Sequence, residues 1–161
     1  MTMMTQTPEM DLFLQNFPLP KKPSGLLPEL PRNIGDIGDF DLMELYTDFM
    51  AWLVFAKAQL VQAEITEERE RNILEYLQSS VLIEQWGDKA KGDLVTVAKA
   101  KRDVDPKIVD QIEIHMQKRA YRKLVDTVFD RCERGAQVVS RELSRRIGMS
   151  GKEVRQHRFT P

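Results

Sequence analysis

The chain has 161 residues, 24 Lys or Arg against 25 Asp or Glu, 42% hydrophobic residues and a single cysteine. That length and apolar content suffice for one domain whose core is built from Leu, Val, Ile, Ala and Met, a helix-favouring set, and the lone Cys132 excludes an internal disulfide framework. No apolar run approaches the roughly 18 residues of a membrane span, and "MTMMTQTPEMDLF" lacks the basic start and continuous apolar stretch of a signal peptide, so a soluble intracellular protein is expected.

The net charge of −1 hides an asymmetry. Residues 1–88 hold six Lys or Arg against fifteen Asp or Glu, whereas residues 89–161 hold eighteen against ten. Two consequences are open. The halves can attract each other within or between copies, or the basic half can bind phosphate.

Residues 1–40 contain six of the eight prolines, concentrated in "NFPLPKKPSGLLPELPRN". Proline removes backbone donors and disfavours helix, which predicts an extended arm. Its apolar residues, Leu12, Phe13, Leu14, Phe17, Leu19, Leu26, Leu27 and Leu30, are too many for a purely solvated linker, so the segment is either a flexible tail or an arm that binds a partner through them.

From Asp41 to about Gln85 the pattern turns helical. Leu42, Leu45, Phe49, Leu53, Ala56, Leu60, Ala63, Leu74 and Val81 share one face, widened by Tyr46, Trp52 and Leu77. No Pro or Gly interrupts it. "EITEERERN" breaks the face with Glu67, Glu70 and Arg71, which predicts a solvated or kinked stretch, or a polar layer; Glu67 and Arg71 also have the spacing of a helical ion pair.

Residues 86–105 form a basic connection in which Gly87 and Gly92 stop the first helix and residues 94–102 suit a short helical turn. It carries Lys89, Lys91, Lys99, Lys101 and Arg102. "GDKAKGD" lacks the order of a phosphate loop and follows no buried strand, so a nucleoside-triphosphate site is not expected. Asp105 before Pro106 is a helix start, and the second long helix is expected to run over 106–147 and end at Gly148. On a 100° wheel Tyr121, Leu124, Val125, Val128, Phe129, Cys132, Ala136, Val139, Leu143 and Ile147 form its buried face, with Lys123, Arg134, Arg141 and Arg145 opposite. Residues 148–161 read as a basic tail with Lys152, Arg155, His157 and Arg158 beside Phe159.

Two long helices with one apolar stripe each predict an all-α fold, an antiparallel helical hairpin of the coiled-coil kind over 41–147 with an extended proline-rich N-terminal arm. Two helices alone leave much of each stripe wet, so a homo-oligomer is expected.

Catalytic chemistry finds no support. His115 and His157 are far apart in sequence with no Cys or carboxylate cluster at ligand spacing, so neither a metal nor another cofactor is expected. Cys132 lies on the apolar face, where a thiol packs rather than reacts. Ser140 and Ser144 have no His in helical reach, and the carboxylates are spread along helices. A non-enzymatic protein is the expectation.

"LYTDFMAWLVFAKAQLVQAEITEERER", "VTVAKAKRDVDP" and "AYRKLVDTVFDRCERGAQVVSRELSRR" resemble the plan of a small helical protein of tailed bacteriophages. A long helix with an early Trp-Leu pair (Trp52, Leu53), a Lys-containing connection and a helix ending in Arg-rich turns is similar to the recombination mediators of the UvsY family. The likeness spans about residues 41–147 and is one of architecture; the proline-rich arm departs from it. It implies an oligomer in the host cytoplasm that binds single-stranded DNA, contacts a single-strand-binding protein and loads a recombinase.

Under that reading the DNA-binding candidates are Lys89, Lys91, Lys99, Lys101, Arg102, Lys123, Arg134, Arg141, Arg145, Lys152, Arg155 and Arg158. The alternative is a virion structural or assembly protein whose arm and hairpin contact other virion proteins. A phage-encoded inhibitor of a host complex is a third class that the sequence does not separate from these.

Overall fold

The computed structural model describes the backbone of residues 8–87 and 95–158, and the side chains of residues 8–84, 97 and 99–150. Its elements are α1 (Pro8–Asn16), a 3-10 turn (Ile34–Asp36), α2 (Asp39–Gly87), α3 (Val95–Asp103) and α4 (Pro106–Arg158). The described residues contain no strand, and α2 packs against α4 as an antiparallel helical hairpin.

Local chemistry accounts for the ends. Asp39 and Asp41 place negative charge in the first turn of α2, where the exposed amides and helix dipole favour it. That helix ends at Gly87. Asp105 caps α4: its Oδ1 accepts a hydrogen bond from the Lys107 amide at 2.9 Å, while Pro106 fills a position whose amide would have no partner.

Both long helices carry apolar or inward-facing residues at alternating spacings of four and three. On α2 the series is Leu42, Tyr46, Phe49, Leu53, Ala56, Leu60, Ala63, Glu67, Glu70, Leu74, Leu77 and Val81. On α4 it is Ile108, Gln111, His115, Arg122, Val125, Phe129, Cys132, Ala136, Val139, Leu143 and Arg146, with the exposed Lys118 at the edge of the seam between His115 and Arg122. This is a heptad seam with a period of 3.5, the pattern that keeps one stripe of each helix on its partner over many turns.

The chain divides into two compact units, Met1–Ala58 with Phe129–Pro161, and Gln59–Val128. In the first, Leu42, Phe49, Ala136 and Val139 form the buried core, with Ile34, Ile37, Leu45, Tyr46, Met50 and Leu143 packed around them. The helices approach closely because Gly135 lies over the Phe49 ring: a Cβ at residue 135 would stand only 2.3–2.7 Å from three ring atoms. The arm adheres to this unit. Arg146 is its clasp, donating to the carbonyls of Ile34 (3.2 Å), Gly35 (3.1 Å) and Ile37 (2.8 Å) and to the Asp39 carboxylate (2.6 Å). Arg131 reaches Glu29 at 3.1 Å, and Lys22 lies over the Trp52 ring.

In the second unit Leu60, Ala63, Val81, Ile108 and Gln111 are buried. Its seam contains the polar layer that "EITEERERN" foreshadows. Arg122 Nε donates to Glu67, and Gln111 Nε2 donates to the carboxylate of Glu70 at 2.8 Å and to its main-chain oxygen at 3.2 Å. His115 Nε2 stands 3.9 Å from Glu67, buried and without a hydrogen-bond partner.

Several expectations need correction. The arm is not extended throughout, since residues 8–16 form α1; Pro8 opens the helix, a position where proline needs no amide partner. Gly148 does not end α4, which continues to Arg158. Glycine costs a helix interior about 1 kcal/mol but stops it only when it turns left-handed, and among the described residues positive φ occurs only at Gly25. Arg71 does not pair with Glu67; it turns outward to Glu68 and Glu75 while Glu67 turns into the seam.

The buried face of α4 is also narrower than the 100° wheel implies: Tyr121, Leu124 and Ile147 are 52%, 67% and 73% exposed. A heptad seam drifts about 20° per seven residues against a 3.6-residue wheel, so residues at the edge of a wheel face fall out of a 3.5-residue seam.

Candidate nucleic-acid interface

Most α4 cations in residues 121–146 are committed to protein groups. Arg122 neutralises Glu67 in the seam of the second unit. In the first unit, Arg131 and Arg146 hold the arm, and Arg145 grips Glu142 through two hydrogen bonds of 2.7 and 2.8 Å. These bonds from Arg145, with one from Arg146, hold the Glu142 carboxyl down to about 2, and the same carboxylate raises both guanidinium pKa values.

The sequence candidates therefore separate. Lys123 and Arg141 are exposed and make no ion pair with the described residues; Arg134 is exposed with a loose 3.7 Å contact to Asp130. Arg145 is exposed but engaged. On α3, Lys99 and Lys101 are exposed, and Arg102 is turned to Asp103 at 2.7 Å. Lys89 and Lys91 lie outside the described residues, and Lys152, Arg155 and Arg158 lie on α4 with side chains outside them.

Two cations that sequence reasoning passed over stand beside Lys123. Lys118 and Arg119 are exposed and have no carboxylate partner among the described residues, so one and a half turns of α4 present three uncommitted positive charges. The signal was present in "MQKRAYRK". The wheel, centred on the later part of the helix, did not reach it.

Lys118 also lines a groove in the second unit together with Gln59, Gln62, Ala63, Thr66 and Tyr121. The heptad register explains its chemistry. On this flank α2 presents Gln59, Gln62, Thr66 and Arg69, whereas Glu64 and Glu68 occupy heptad positions on the other flank and Glu67 and Glu70 enter the seam. On α4 the flank reads Ile114, Gln117, Lys118, Tyr121, Leu124 and Val128. Acidic as "EITEERERN" is, this flank carries no carboxylate between Gln59 and Arg69 or between Ile114 and Val128.

A second groove, in the first unit, is lined by Tyr46, Met50, Leu53, Glu133, Ala136, Gln137, Ser140 and Arg141. Glu133 sets a carboxylate in it, so this surface suits an anionic strand less well than the Lys118 groove.

The arm's apolar residues are widely accessible. Leu12, Phe13 and Phe17 of the α1 region are about 60% exposed, Leu19 and Leu30 are exposed, Leu26 is 93% exposed, and Leu14 and Leu27 are half-buried. Phe13 and Phe17 stack on each other with ring centroids 5.1 Å apart.

Cys132 is fully buried and desolvation pushes its thiol pKa up, disfavouring the thiolate a nucleophile needs. Among the described residues no cluster of His, Cys, Asp and Glu has the arrangement of a metal site, and no helix is long and apolar enough to cross a membrane. No protein-family model, curated protein or solved structure matches the chain.

Proposed function

We propose that the protein is a non-catalytic accessory of DNA metabolism that binds single-stranded DNA as an oligomer, in the manner of the recombination mediators its sequence resembles. The observation that carries this reading is that Lys118, Arg119 and Lys123, within one and a half turns of α4, are exposed and without a carboxylate partner among the described residues, in a chain that engages most of its neighbouring arginines internally. Uncommitted cations on a rigid helix release counterions from a phosphate backbone without first breaking an ion pair. Oligomerisation multiplies so small a cluster into a continuous track.

The test is fluorescence anisotropy of a labelled single-stranded oligonucleotide at two salt concentrations with duplex competitor. Salt-sensitive binding that prefers the single strand is expected, and Arg119→Gln with Lys123→Gln should lower the salt slope by about 1.4, at roughly 0.7 per phosphate contact. No binding at low salt would overturn the reading.

A second reading is favoured by one observation, the exposed apolar residues of the arm. Phe13, Phe17 and Leu26 present surface that a virion or assembly partner would cover as an added peptide segment. Deleting residues 1–33 while keeping the Arg146 clasp would abolish co-assembly under this reading and leave DNA binding intact under the first.

A further inference from the structure

The Lys118 groove holds more than positive charge. Tyr121 is half exposed at its wall, and its hydroxyl makes no hydrogen bond with the described residues. Opposite it, Gln59 Nε2 donates to Gln62 Oε1 at 3.4 Å, leaving the carboxamide oxygen of Gln59 and the carboxamide nitrogen of Gln62 without partners among the described residues. Thr66 donates its hydroxyl proton to the Gln62 main-chain oxygen at 2.8 Å and keeps its own lone pairs for an incoming donor. Ala63 forms a small apolar floor.

A π face, a lone ammonium, a free amide donor and a free amide acceptor, on a flank without carboxylates, match the parts of one nucleotide. We infer that this groove seats a nucleotide of a single strand, with its base against the Tyr121 ring, its edge toward Gln59 and Gln62, and its phosphate at Lys118. This rests on the single-strand-binding reading and locates it. The selectivity follows from physics: a duplex hides its base faces within the stack, so only an unpaired strand can offer one to Tyr121. Every base has a π face, so the groove tolerates any sequence.

The experiment uses the full chain with oligothymidylate carrying one 5-iododeoxyuridine. Binding is followed by anisotropy across a salt series, and photocrosslinked peptides are mapped by mass spectrometry. Tyr121→Ala is expected to weaken binding about 5- to 100-fold with the salt slope unchanged, and Tyr121→Phe to retain it, because the ring stacks and the hydroxyl does not. Lys118→Gln is expected to lower the slope by about 0.7. The crosslink is expected at Tyr121.

If the unaltered protein binds the strand, yet Tyr121→Ala binds equally well or the crosslink maps away from α4 residues 118–121, the groove assignment is overturned and the single-strand reading stands. If the unaltered protein does not bind at low salt, both fall. Should Tyr121→Ala unfold the chain by circular dichroism, Lys118→Gln and the crosslink position decide the matter.

Discussion

Replacing Gly135 by alanine sets two effects of opposite sign against each other. In an isolated helix the change is favourable by about 1 kcal/mol, because glycine loses more backbone entropy than alanine on becoming helical. In this fold the new Cβ would lie 2.3, 2.6 and 2.7 Å from the Cε1, Cζ and Cδ1 atoms of Phe49, far inside ordinary carbon contact. Phe49 is 1% exposed and has no open space into which to swing. Overpacking of this kind costs about 3 kcal/mol at the upper end of its usual range, leaving a net loss of about 2 kcal/mol. Urea unfolding followed at 222 nm should move to a lower midpoint by about 1 M. In a Phe49→Leu background, which lacks the ring's Cε and Cζ atoms, the same substitution should become nearly neutral or stabilising, giving a coupling of about 2 kcal/mol. A raised midpoint for Gly135→Ala in the unaltered chain would refute this packing of α2 on α4.

The Glu67–Arg122 pair should behave as a partly buried ion pair. Glu67→Leu alone leaves Arg122 in the seam uncompensated and should cost about 3 kcal/mol, whereas Glu67→Leu with Arg122→Leu should recover most of that loss or exceed wild-type stability in chemical unfolding. Arg146→Ala removes the donor to three arm carbonyls, so limited proteolysis should cut residues 20–38 much faster while helicity at 222 nm is kept. Glu142 contributes stability in its charged form; with its carboxyl held near 2, that contribution is present above about pH 4.5 and lost as pH falls toward 2. Glu142→Gln should therefore flatten the acid limb of the stability profile in that window, as measured by thermal melts.

The apolar spacing of residues 41–85 and 106–147 and Asp105-Pro106 before the second helix make the two long helices legible from sequence alone. These are local properties: side-chain periodicity and the satisfaction of end amides act within a few residues, so one sequence window holds all the information. The hairpin follows because each stripe needs an apolar partner. What the local pattern lacked was the period. Whether Tyr121 and Leu124 are seam or surface depends on a 3.5-residue register that is fixed only when a second helix is present, and α4 could pass through Gly148 because nothing local forced that residue left-handed.

The candidate interface was legible in part for the same reason. Lys123, Arg134 and Arg141 were visible as outward cations from the wheel. That Arg145 and Arg146 are occupied, Arg146 by carbonyls more than a hundred residues away in sequence, is decided by tertiary contact. So is the sorting of "EITEERERN", whose glutamates divide between the seam and one flank and leave Gln59, Gln62 and Thr66 facing Lys118 and Tyr121. Sequence determined which residues are charged, helical and apolar. Only the pairing of α2 with α4 determined which charges are neutralised and which remain to meet a partner, because neutralisation depends on distance in space.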